Sequence, residues 1–200
     1  MNPSEYFDAQ FLWKMFYAGE CFRQARGAAK HILDTKLELE SPLFYPLVTA
    51  VYVLYAKPFT RADGVGKLSD EIIPAEYREL HGQMLDHRHQ VYAHRDGDGF
   101  SVAELGPVNQ VRAVRLPQEI RLMATDFHAR FPVMPSIITL CEALEEKTGY
   151  HVDKLLIKHA KSIPDKVGEY MLNLQNSNAE MWLPQKPMVL AIETPNRAVV

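Results

Sequence analysis

The sequence predicts an all-α protein, an up-and-down helical bundle with a small β-hairpin insertion, and three observations carry that expectation. Phe11, Met15, Ala18, Phe22, Ala25, Ala29 and Ile32 recur at steps of four and three, the period of a helix lying lengthwise along a bundle partner. Leu43 to Ala56 is apolar almost all round, as a central helix is. Ile137, Leu140, Leu144, Leu155 and Leu156 set out a further helix. A chain of 200 residues with 47% hydrophobic content suffices for one well-packed domain and is short for two. The expected organisation is a bundle over 1–163 and an extension over 164–200 that packs on the bundle or on a neighbour.

The first helix is expected from Glu5 to Leu33 with Ser4 as N-cap. Small residues (Ala18, Gly19, Ala25, Gly27, Ala28, Ala29) let another helix approach its second half. Leu12, Trp13 and Phe16 widen the apolar surface of the first half toward a second neighbour. After a polar connection over Asp34 to Glu40, Ser41 and Pro42 open the second helix, and Lys57-Pro58 closes it. Pro46 is tolerable there because it lies in the first turn. Pro74 opens a third helix that runs to about Arg95. Phe100 to Leu105 and Gln110 to Leu116 read as a hairpin joined by Gly106 to Asn109, an insertion over about 99–116. Gln118 to Ala129 reads as a short helix. Ser136 caps the last bundle helix, which extends to about Ser162 with a kink at Gly149. Lys166 to Leu174 fits a helix or an edge strand, and Met181 to Val200, with three prolines, an extended arm that packs Trp182 or Val189.

The net charge of −3 and pI of about 6.2 exclude a wide basic face, so nucleic-acid contact is expected to be local. Cys21 and Cys141, the only cysteines, sit apart in helical patterns and are expected as buried, reduced thiols of a cytoplasmic protein. Asn2, Pro3 and Ser4 do not start a signal peptide. The most apolar run, Leu43 to Ala56, falls short of the roughly 20 residues that span a bilayer, so no membrane role is expected.

The chemistry concentrates in Asp86 to Asp96, Asp-His-Arg-His-Gln-Val-Tyr-Ala-His-Arg-Asp. Tyr77, Leu80, Met84, Arg88 and Val91 recur at three and four, which places an arginine on the apolar stripe of the third helix. Arg88 and His94 are separated by about 120° round a helix and about 9 Å along it, so they meet across a groove or through a second copy of the helix. Asp96-Gly97-Asp98-Gly99 ends the helix and leaves His94 in its last turn, where exposed carbonyls favour imidazolium. A histidine to move protons and an always-charged arginine to hold phosphate suffice to cleave RNA, whose 2′-hydroxyl is its own nucleophile. The structural alternative pairs Arg88 with Asp86 or another carboxylate and leaves His94 as a helix cap.

Arg88, the polar His89, four further residues and then His94 resemble the signature of the HEPN superfamily. Leu85, Val91, Tyr92 and Ala93 resemble its apolar setting, and the likeness covers roughly Tyr6 to Asp96 plus a later helix. The resemblance implies a HEPN-like bundle, a homodimer whose two motif helices share one site, and a metal-independent endoribonuclease of the toxin or antiviral kind, with RNA as substrate. An antitoxin or other protein partner would go with that role. Other members are only nucleotide-binding or interaction modules, and that alternative stands beside it. On this reading Arg88, His94 and His89 are catalytic, with His89 orienting the other two, while Tyr92, Arg95 and Arg61 hold substrate and no cofactor is needed.

Other constellations carry less. Gly64-Val-Gly66-Lys67 is not a P-loop, because Arg61 and Leu68 stand where that pattern needs glycine and a hydroxyl residue. His81, His87, His89 and His94 are never three or four residues apart; Asp86 and His89 do have metal-ligand spacing, but one such pair is more often a solvated face, and no metal site is expected. Arg112, Arg115 and Arg121 form a scattered basic set near the hairpin.

Overall fold

A capping box starts the first helix: Asn2 Oδ1 accepts from the Glu5 N–H at 2.9 Å, and Glu5 Oε2 accepts from the Asn2 N–H at 2.7 Å. The helix α1 therefore runs Pro3–Asp34 with Asn2, not Ser4, as its cap, and Pro3 fills the first position, where its fixed φ suits a helix start. The computed structural model describes residues 1–38, 40–61, 66–89, 101–102, 106–107, 111–124, 133–175 and 177–185. The chain divides into two units, Lys14–Asp153 and Met1–Trp13 with Lys154–Val200.

The larger unit is mainly helical. It holds most of α1, then α2 (Phe44–Ala56), α3 (Arg78–His87) and the greater part of α4 (Met134–Lys158). The 3-4 stripe is buried as its spacing requires: Met15, Ala18, Phe22, Ala25, Ala29 and Ile32 lie in one core with Phe44, Val48, Val51, Tyr55, Leu68, Met84, Ile137, Leu140 and Leu144. Each valine, leucine, isoleucine, phenylalanine or methionine side chain among these contributes about 1.5–3 kcal/mol when fully buried. Gly19 brings α1 close to α4, since a Cβ there would stand 3.0 Å from Thr148 Oγ1. Arg26 joins the same two helices through two parallel bonds to Glu145, at 2.6 and 2.9 Å. Cys21 and Cys141 are both buried and free.

Departures from the expected elements have local causes. The helix α1 ends in a Schellman turn, with Leu37 N–H on Ile32 O, Lys36 N–H on Leu33 O, and Lys36 in the left-handed region at φ 48°. The helix α2 is apolar but not enclosed on every side, since Tyr45 in its first turn is 43% exposed and its N-cap Leu43 is 55% exposed. The third helix begins as a 3-10 turn, Ala75–Tyr77, before α3 proper, and Pro74 precedes it rather than sitting inside it. The helix α4 starts at Met134, ahead of the expected Ser136 cap, and gives way after Lys158 to a 3-10 turn, Ala160–Ser162.

The hairpin forms one strand later than expected. Strands β1 (Ser101–Val102) and β2 (Gly106–Pro107) pair briefly, and β3 (Val111–Arg115) pairs antiparallel with β4 (Ile120–Ala124), Arg115 facing Ile120 and Val111 facing Ala124. The helix expected over Gln118 to Ala129 is thus a strand in its described part. Pro117 is the reason: it sits in a four-residue turn closed by Leu116 N–H donating to Glu119 O at 2.8 Å, where a proline's missing donor costs nothing.

In the smaller unit, β5 (Tyr170–Leu172) pairs antiparallel with β6 (Trp182–Pro184), which resolves the choice over Lys166 to Leu174 in favour of a strand. Trp182 is half-buried there, and Val189 lies outside the described residues. Asp8 Oδ2 accepts from His159 Nε2 at 2.7 Å and from Lys158 Nζ at 2.5 Å, and the Tyr6 hydroxyl donates to Leu174 O at 3.0 Å. Among the described residues, no helix is long and apolar enough to cross a membrane.

Candidate functional site

The candidate residues gather at the C-terminal end of α3, where Arg88 continues the helical backbone at φ −59° and ψ −45° and its N–H is shared between the Leu85 and Met84 carbonyls. Arg88 as a whole is half-buried, and its Nη1 lies 3.2 Å from His89 Nδ1 in a solvent-exposed contact. An arginine can only donate, so Nδ1 accepts and the ring proton of the neutral imidazole sits on Nε2. His89 is exposed beside that charged neighbour. His87, one residue before Arg88, turns inward and sets its ring edge-on to Tyr52 at 5.5 Å. Burial holds its pKa below the ordinary histidine value, against the opposing charge of Asp86.

Of the six site residues read from the sequence, the structure brings Arg88 and His89 together. Arg61 is exposed in the extended backbone after Thr60, and among the described residues no hydrogen bond or ion pair joins it to that pair. His94, Tyr92 and Arg95 lie outside the described residues. Among the described residues no group of three histidine, cysteine or carboxylate side chains is placed to hold a metal ion.

His81 is the functional-looking residue that the motif left aside. It is 7% exposed, its Nδ1 lies 2.8 Å from the Tyr55 hydroxyl, and its ring packs on Phe59 at 4.6 Å. Tyr55 is itself fully buried, so a hydroxyl that did not donate to Nδ1 would leave its proton unsatisfied in the core. The ring proton is therefore on Nε2, with Asp70 Oδ1 3.9 Å away. The signal was present in the spacing: Tyr77, His81, Met84 and Arg88 also follow a 4-3-4 stripe. Asp8 and His159 gave no such signal, because their contact joins opposite ends of the chain.

The arrangement at Arg88 and His89 sets an always-charged guanidinium beside an exposed imidazole. Comparison with known proteins returned no matching family model, no matching curated protein and no matching solved structure.

Proposed function

We propose that this chain is a HEPN-like, metal-independent endoribonuclease that acts as a homodimer on RNA through Arg88, His89 and His94. The observation that carries the reading is the solvent-exposed Arg88–His89 contact of 3.2 Å at the end of α3, which sets the guanidinium beside an imidazole. In the proposed reaction His94 takes the proton of a 2′-hydroxyl and the freed oxygen attacks the adjacent phosphorus. The bond from phosphorus to the 5′-oxygen breaks, and the imidazolium of a second copy returns a proton to that leaving oxygen. Arg88 neutralises the charge that builds on the phosphate, and His89 holds Arg88 in place. Tyr92, Arg95 and Arg61 position the strand. A toxin or antiviral role with a cognate protein partner follows from the same likeness.

The second reading, a non-catalytic nucleotide-binding or interaction module, draws on one feature of the same pair. His89 Nδ1 already accepts from Arg88, so that nitrogen binds and orients rather than removing a proton. The test is cleavage of single-stranded RNA in excess chelator, beside a substrate whose 2′-hydroxyls are replaced by hydrogen. Cleavage of the ribose substrate alone, abolished by His94→Ala, is the expected result. Nucleotide binding without cleavage establishes the second reading, and equal cleavage of both substrates overturns the 2′-hydroxyl mechanism. Light scattering at micromolar concentration should return twice the chain mass; a monomer removes the shared site.

A further inference from the structure

We infer that the β3–β4 ribbon is a second RNA-contacting surface, one that grips the phosphate backbone of a single strand. The inference rests on RNA being the substrate and adds where the strand is held. From Ala113 to Leu122 every side chain except the half-buried Leu116 is exposed, so both faces of that stretch are open. The pairing puts Ala113 opposite Leu122 and Arg115 opposite Ile120 on one face, and Val114 opposite Arg121 on the other. Each face therefore presents an arginine beside exposed aliphatic surface, with Ile120 at 55%, Leu122 at 72% and Val114 at 38% exposure.

An isolated two-stranded hairpin is only marginally stable in water, so a ribbon with neither face covered gains order from a partner. Charge selects the partner. Val111 to Ala124 holds three arginines and one glutamate in a chain whose net charge is −3, so the ribbon is locally basic on an acidic protein. Glu119 pairs with Arg121 at 2.5 Å in solvent, a pairing that a phosphate can displace. A second copy laid against the ribbon would bring like charges together, which disfavours self-association there. A phosphate backbone complements the arginines, and Ile120 and Leu122 offer apolar contact to sugars and bases. The ribbon is about 17 Å long, enough to touch several nucleotides of an extended strand.

The test uses the full chain and a 2′-O-methyl oligoribonucleotide, which binds without being cleaved, with affinity measured by fluorescence anisotropy across a salt series. Arg115→Gln with Arg121→Gln is expected to weaken binding and to make the dependence of log affinity on log salt shallower by about 1.4, about 0.7 for each lost phosphate contact. Leu122→Ser is expected to weaken binding with no change in that slope, and melting curves of all variants should match wild type. Wild-type cleavage of RNA with an affinity and slope unmoved by the arginine variant overturns the ribbon while leaving the ribonuclease reading intact. Ribbon-dependent binding with no cleavage of ordinary RNA supports the ribbon and removes the ribonuclease. No binding of the oligonucleotide by wild type overturns both. A loss of oligomer mass in the arginine variant at unchanged RNA affinity identifies the ribbon as a protein interface instead.

Discussion

Two histidines on one helical segment have opposite surroundings. His81 is buried on the core side of α3, bonded to Tyr55 and wedged against Phe59. His89, two turns on, is exposed, and its Nδ1 lies 3.2 Å from Arg88 Nη1. Both are imidazoles with one nitrogen engaged and the proton on the other. The first is a packing element whose loss is felt by the fold, whereas the second leaves a donor in solvent that a ligand can use. Residue type is shared, and burial decides the role.

The comparison breaks most sharply at His81. His81→Ala strips a buried Tyr55 hydroxyl of its acceptor and opens a cavity beside Phe59; together these are expected to cost about 3 kcal/mol. Urea unfolding followed by circular dichroism would read it, and His81→Gln, which keeps an acceptor in reach, should recover a good part of the loss. If both variants unfold like wild type, His81 is not holding the core. Arg88→Ala should do the reverse. Cleavage is expected to fall roughly a hundredfold, about 2.7 kcal/mol in transition-state terms, while stability moves by no more than about 0.5 kcal/mol. A large stability loss with unchanged turnover would make Arg88 a structural residue.

Acid should expose the same contrast. Burial holds His81 below the ordinary histidine value of 6.5, with Asp70 opposing it and Lys67 reinforcing it, and burial likewise lowers His87. The unfolded chain then binds protons that the folded chain refuses, so stability is full above about 6.5 and declines as pH falls through the histidine range. For Asp8 burial alone would raise the carboxyl, but hydrogen bonds from Lys158 and His159 outweigh it and hold it below 3.8. That contribution is present above 3.8 and is lost as pH falls through the lowered folded value. Unfolding free energy measured from pH 8 to pH 3 should therefore drop in two stages. His81→Gln should flatten the first and Asp8→Asn the second; a curve for His81→Gln that superimposes on wild type after scaling would show that His81 does not titrate with folding.

Much of the helical core was legible because it depends on local periodicity. Met15, Ala18, Phe22, Ala25, Ala29 and Ile32 are buried along one stripe, as a period near 3.6 requires. Periodicity names a face but not what covers it, so Phe11, on the same stripe, is left 37% exposed. Strand β4 was misread because Arg121, Leu122, Met123 and Ala124 are good helix formers, and only pairing with β3 across the Pro117 turn overrides that preference. At the site, Arg88 and His89 were legible from the motif and His81 was not, although it shares the spacing. A stripe drawn through apolar residues passes over a histidine whose burial depends on a tyrosine from another helix. The Asp8–His159 bond, at 2.7 Å, depends wholly on the fold, and no window of sequence contains it.

The smallest effect belongs to His89 and is the most informative about how the exposed end works. If His89 serves by accepting from Arg88, its contribution is that of one solvent-exposed, charge-assisted bond, about 1 kcal/mol or roughly fivefold in rate. His89→Ala should lower kcat by that factor with stability unchanged, and His89→Asn, whose amide oxygen can still accept, should restore part of it. The stronger measurement is the double-mutant cycle, since groups that act through one another are not additive. In an Arg88→Ala background, His89→Ala should change the rate no further, because the guanidinium it orients is gone. A full fivefold loss in that background would mean that His89 touches the substrate by itself, and would place it beside His94 in the reaction rather than behind Arg88.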